Sequence, residues 1–160
     1  MITQEIAHEY FEYKDGDLYW KKSDARRCYV GEKVGWIDDE GYKKVIFKYR
    51  KESVHRIIFL MHHGYLPKEI DHKDGNPANN DIKNLREASR SQQVWNTRIR
   101  KDNKSGVKGV CWDAQRKQWL VRVCKHKKIA YQGRFNDLEL AELIAIEARN
   151  KYHMEFARCQ

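Results

Sequence analysis

The run Ile70-Asp71-His72-Lys73-Asp74-Gly75-Asn76-Pro77-Ala78-Asn79-Asn80, followed by Asn84-Leu85-Arg86-Glu87-Ala88 and Ser89-Arg90-Ser91-Gln92, decides how this chain is read. A short apolar entry at Ile70 leads into a loop of Asp, Asn, Gly and Pro, residues whose side chains bond nearby backbone or accept turn geometries. Asn84 to Ala88 returns as a second short strand. Ser89 and Gln92 form a capping-box pair, which predicts a helix to about residue 98. The expected unit is strand, loop, strand, helix, with Asp71 and His72 at the entry to the loop.

Those two residues suit phosphodiester hydrolysis, which needs a deprotonated water, a cation to take up developing charge and a scaffold aligning both. Asp71 offers a carboxylate for a cation. His72 offers an imidazole whose ordinary pKa lets it accept a proton at cellular pH. Neighbouring strand residues point to opposite faces, so the pair shares one site only if the strand twists or the ligand reaches round.

Working outward, Asp15-Gly16 between Tyr10-Phe11-Glu12-Tyr13 and Leu18-Tyr19-Trp20 predicts a hairpin. Gly41 separates residues 34–37 from a second run, 42–49, so residues 1–52 read as mostly strand. Ser53 is expected to cap a helix through Val54, Ile57, Ile58 and Met61, which Gly64 ends. The polar stretch Asp102-Asn103-Lys104-Ser105-Gly106 is read as a domain joint. Beyond it lie three strand-like runs, 107–112, 118–124 and 129–134. A helix capped by Asn136 or Asp137 follows, with Leu138, Ala141, Ala145, Ala148 and Tyr152 on one stripe. The expected class is α+β, with a first domain over 1–100 and a second over 101–160.

The formal charge of +9 is not spread evenly: residues 97–135 hold twelve Lys/Arg against two Asp, a local +10. Such a patch, interleaved with Trp112, Trp119 and Tyr131, suits a polyanion. No apolar run approaches the roughly 20 residues that span a bilayer, and Met1 to Glu5 lacks a signal pattern, so a cytoplasmic protein is expected. Cys28, Cys111, Cys124 and Cys159 show no C-x-x-C spacing, which predicts reduced thiols. Without cysteine partners, His62 and His63 are read as helix-end residues, and His55, His126 and His153 as surface.

The central stretch, with Asn79-Asn80, Asn84-Leu85-Arg86, Ser89-Arg90-Ser91-Gln92-Gln93 and Asn96, resembles the HNH endonuclease family, in particular phage-type homing and nicking members. His55-Arg56 and Gly64-Tyr65-Leu66-Pro67 match the family's flank. The resemblance implies a ββα-metal module over about 53–100 holding one divalent ion, Mg²⁺ or alternatively Mn²⁺. By it His72 is the general base, Asp71 a metal ligand, and Asn84 the central Asn that holds the loop and orients the imidazole. The family's helix Asn aligns with Gln93 here. Gln carries the same carbonyl one methylene further out, and Asn96 at i+3 is the alternative ligand.

Residues 104–157 resemble the DNA-binding domain of plant ethylene-response factors, carried by Ser105-Gly106-Val107-Lys108-Gly109-Val110, the Trp119, Tyr131 and Phe135 strands, and the Ala-rich final helix. The resemblance implies a three-stranded antiparallel sheet laid in the major groove and packed on one helix. Period-two alternation puts Trp119, Val121 and Val123 toward the helix and Leu120, Arg122 and Cys124 away from it. By the family's pattern Lys108, Val110, Trp112, Ile129 and Tyr131 join the DNA face. Expected DNA contacts are Lys104, Lys108, Trp112, Lys117, Arg122, Lys128 and Tyr131. The function expected is a site-preferring DNA nickase of homing type, a monomer or weak homodimer acting on double-stranded DNA in a bacterial host's cytoplasm. The alternative is a non-catalytic DNA-binding regulator.

Overall fold

Thr3 opens a helix that the strand-rich reading of the N-terminus does not contain. The computed structural model describes residues 2–24, 28–97 and 99–157. In it α1 (Gln4–Tyr10) starts where the Thr3 hydroxyl accepts from the Ile6 amide, with Glu5 in the first turn. Only seven residues long, it runs straight into β1 (Phe11–Lys14), which pairs antiparallel with β2 (Asp17–Trp20) through the expected Asp15-Gly16 turn.

The run from 42 to 49 is broken where no turn signal stands. β3 (Trp36–Ile37), β4 (Lys43–Phe47) and β5 (Arg50–Ser53) form an antiparallel sheet. The β4–β5 turn holds Lys48 and Tyr49 at φ of 47° and 65°, a conformation usually taken by Asn or Gly. α2 (Val54–His63) follows as expected, and Gly64 at φ 76° closes it by donating its N–H to Leu60 O at 2.9 Å. Ile57, Ile58 and Phe59 of α2 bury against Phe11, Leu18, Val45 and Phe47. β6 (Ile70–His72) and β7 (Leu85–Glu87) pair antiparallel, with a 3₁₀ turn, Ile82–Asn84, just before β7. Ile70 and Leu85 join the same core.

The chain divides into two compact units, Met1–Ala88 and Ser89–Gln160. The sequence reading sets the joint after residue 100, which counts α3 (Arg90–Asn96) with the first half; by its packing α3 counts with the second. Trp95 stacks flat on His153, with centroids 4.4 Å apart, and Lys108 Nζ donates to the carbonyls of Trp95 and Thr97. The capping box of α3 is present, Gln92 N–H to Ser89 Oγ and Ser89 N–H to Gln92 Oε1.

The second unit continues with β8 (Val110–Asp113), β9 (Gln118–Lys125) and β10 (Lys128–Phe135), an antiparallel sheet with β9 in the middle. α4 (Leu138–His153), capped by Asp137, lies on one face of this sheet, and Ala141 and Ala145 bury against Val107, Val110 and Val121. Small alanines let the helix backbone approach the sheet closely. Arg149 and His153 continue the buried stripe, Arg149 through a hydrogen bond to Lys108 O, while Tyr152 is half-buried at its edge. The class is α+β, as expected. Among the described residues no helix is long and apolar enough to cross a membrane. Cys28, Cys111 and Cys124 are free thiols; Cys159 lies outside the described residues.

Candidate functional site

All three residues of β6 are buried, so Asp71 and His72 sit at a protected place despite their polarity. Pairing puts Asp71 directly opposite Arg86, whose Nε and Nη2 reach Asp71 Oδ2 at 2.9 and 2.8 Å. A buried carboxylate is tolerable only with such a partner, and the guanidinium fork also fixes its orientation.

His72 Nε2 lies 3.1 Å from Oδ1 of Asn80, a side chain only 1% exposed. The Asn80 amide nitrogen turns the other way, to Ala78 O. Because Oδ1 can only accept, Nε2 carries the proton in the neutral ring, and the lone pair that can take a proton lies on Nδ1.

Asn84 has a different job from orienting the ring. Its amide donates to Asp74 Oδ1 at 2.9 Å and Asn79 O at 2.8 Å, and its Oδ1 accepts from the Asp74 amide. The loop closes around Asp74, which also receives Asn76 N–H and Asn79 Nδ2. Burial works to raise the Asp74 pKa, but these hydrogen bonds outweigh it and hold the carboxyl below its ordinary value. Asn84 therefore ties the loop together, while the amide meeting the imidazole belongs to Asn80. Two adjacent asparagines in a polar loop give no sign of which one turns inward.

His55 corrects a second expectation. It is a buried residue near the start of α2, with its ring centroid 5.2 Å from that of His72 in an edge-to-face arrangement of 72°. Tyr42 packs on both rings, at 5.7 and 6.0 Å. Burial pushes the His55 pKa down to about 3, with the neighbouring His72, Lys44 and Arg56 adding to the effect. It is neutral at any ordinary pH. His153 is likewise buried rather than on the surface, whereas His62 and His63 end α2 and His126 is exposed, as read from sequence.

Of the remaining metal-site candidates, Gln93 and Asn96 lie on α3, in the second unit; Gln93 is half-buried and Asn96 buried there. Among the described residues no three His, Cys, Asp or Glu side chains gather as a protein-only metal cage would require. Asp71 instead offers a single hard carboxylate oxygen donor group. That fits a hard divalent cation, which one or two carboxylates can hold while it keeps waters and takes phosphate oxygens.

The sheet of the second unit has two faces, and the structure redraws which residues lie on each. Directly opposed residues share a face, and Val110 pairs with the core residue Val121, so Val110 and Trp112 lie on the helix side. Gly109, at φ 82°, sits just before β8 with its carbonyl accepting Arg122 N–H. A Cβ there would lie 3.0 Å from Arg122 O. In β10 a bulge between Ile129 and Tyr131 splits the expected pair: Ile129 opposes Cys124 on the open face, and Tyr131 opposes Val123 on the helix side. Arg122 is exposed on the open face as expected, bonded through Nε to Gln132 Oε1 at 3.3 Å. Arg134, opposite Leu120, shares that face and was not singled out from sequence. Lys104, Lys117 and Lys128 are exposed, while Lys108 is half-buried on its two carbonyls.

A buried Asp-His strand, an Asn-rich loop tied by a central Asn, and a returning strand define the class of protein. The HNH endonuclease family matches residues 52–94, from β5 into α3. The chain carries an HNH endonuclease domain and belongs to the family of the phage relative it matches. It is 35% identical to Protein 3.8 of Escherichia phage T7 over 114 residues, covering 69% of this chain and 92% of that protein. No solved structure matches the chain.

Proposed function

We propose that the protein is a divalent-metal-dependent DNA endonuclease, a site-preferring nickase of homing type that acts in the cytoplasm of a bacterial host. The observation that carries the reading is the His72–Asn80 contact, which directs Nε2 of a buried imidazole to an acceptor and leaves Nδ1 as the basic nitrogen. In this reading His72 Nδ1 takes the proton of a water, whose oxygen bonds to phosphorus as the bond to the leaving sugar oxygen breaks. Asp71, its orientation fixed by Arg86, is the carboxylate for Mg²⁺ or Mn²⁺. The ion, when bound, supplies charge for the phosphorane and the leaving oxygen. Asn84 keeps the loop closed, so that Asp71, His72 and Asn80 hold their places without rearranging during the reaction.

The second unit is proposed as the DNA-gripping part, in the manner of the ethylene-response-factor domain. Support comes from the basic segment around the sheet and from Arg122 on its open face, with Lys104, Lys117 and Lys128 as phosphate contacts. A single centre cuts one strand per binding event, so a monomer or weak homodimer nicks. The test is supercoiled plasmid incubated with purified protein and Mg²⁺ or Mn²⁺, with EDTA as control. Accumulation of open circles is expected. Intact plasmid in every metal, together with DNA binding, would leave a regulator in place of an enzyme.

A further inference from the structure

The catalytic reading rests on His72 as base, and a base needs its ring plane set as well as its tautomer. The Asn80 contact fixes one corner of the ring. Ring contacts add a constraint on the plane, because the terminal torsion of histidine is broad and roughly two-fold. Two rings of the same unit stand where they supply it. His55 meets the His72 ring edge-to-face at 5.2 Å and 72°, and Tyr42 packs against both, 5.7 Å from His55 and 6.0 Å from His72.

His55 is not held there by hydrogen bonding. Its Nδ1 is buried with no partner, an arrangement that costs stability and asks for an explanation. Nor does it bring charge, since burial keeps it neutral. What it does contribute is ring surface against His72. We infer that His55, braced by Tyr42, is a positioning residue that fixes the ring plane of His72 for proton transfer. The inference depends on the nuclease reading for its consequence in rate, but its structural content can be measured without activity.

The experiment compares the full-length wild type with His55→Ala and His55→Phe. It measures the ¹⁵N resonances of the His72 ring, the melting temperature, and kcat and KM for plasmid nicking. Wild type is expected to show a single Nε2–H tautomer at His72. In His55→Ala the ring loses its wall and turns about its terminal torsion, so the Asn80 contact is broken part of the time, the two tautomers average, and kcat falls roughly 10- to 100-fold, the scale on which a misplacement of about 1 Å acts. KM stays within about two-fold, because no substrate contact is removed. His55→Phe restores a ring, so the single tautomer and most of kcat return. The inference is overturned if His55→Ala keeps the wild-type ¹⁵N pattern and kcat, or if folded His55→Phe fails to keep that pattern. If His55→Ala does not fold, His55→Phe decides alone. Should wild type leave plasmid intact, or His72→Ala cut as well as wild type, the nuclease reading fails. The ¹⁵N patterns then still decide the positioning claim.

Discussion

Asp71 and Arg86 face one another across the β6–β7 pair, and two guanidinium nitrogens converge on a single carboxylate oxygen. Neither charge is more than slightly exposed. Removing Arg86 leaves a buried carboxylate without its counter-charge, a change that costs about 3–5 kcal/mol. Arg86→Met should therefore lower the melting temperature clearly. Added Mg²⁺ should recover part of the loss if Asp71 is a metal ligand. Thermal melts with and without Mg²⁺ check this, and equal melting temperatures in the two conditions would remove Asp71 from the metal site.

His72→Ala should reduce the nicking rate by about 10² to 10⁴, the usual contribution of a general base. Its affinity for DNA should be unchanged, since the imidazole is 6% exposed and contributes no net charge when neutral. Single-turnover cleavage and fluorescence-anisotropy binding on the same preparation separate the two quantities.

Asn80→Leu should retain the shape of the side chain while removing the acceptor for His72 Nε2. The buried N–H is then unpaired, at a cost of about 1–3 kcal/mol. The expected kinetic pattern is a fall in kcat with KM nearly constant. Asn84→Leu, by contrast, removes three loop hydrogen bonds and should lower kcat together with protection of the 73–84 amides. Hydrogen exchange distinguishes the pair of variants.

On the second unit, Arg122→Ala should weaken DNA binding and reduce the salt slope by about one counterion. Trp112→Ala should act chiefly on stability, because Trp112 lies on the helix side, edge-to-face with Trp119 at 4.9 Å. Titrations over a range of salt, set beside melting curves, test the corrected assignment of faces. A Trp112→Ala protein of wild-type stability that binds DNA poorly would contradict it.

Stability should fall in acid through His55. In the folded chain burial sets its pKa at about 3, whereas an unfolded histidine titrates near 6.5. Between these values the unfolded state binds more protons, so stability rises with pH. The contribution is complete above about 6.5 and is lost progressively as pH falls toward 3. Urea midpoints at pH 7 and pH 4 should differ less for His55→Phe than for wild type.

Local chemistry was legible in the sequence. The Asp15-Gly16 hairpin, Gly64 as a helix stop and the Ser89–Gln92 capping box all depend on residues a few positions apart. What such signals could not reach shows in the β4–β5 turn, where Lys48 and Tyr49 adopt positive φ without Gly or Asn. Pairing of the flanking strands imposes that turn. It also shows in α1, seven residues packed on α2 just ahead of the aromatic strand β1.

The sequence by itself determined that an acid-imidazole pair enters an Asn-rich loop between two strands, and that positive charge concentrates after residue 97. Tertiary structure alone decided that Asn80 meets His72, that His55 is buried beside it, and which way β8 and the start of β10 turn their side chains. The physical reason is that alternation along a strand gives relative faces only. A bulge such as that at Ile129–Tyr131 reverses the face beyond it, and only the helix packed on one side fixes which face is which.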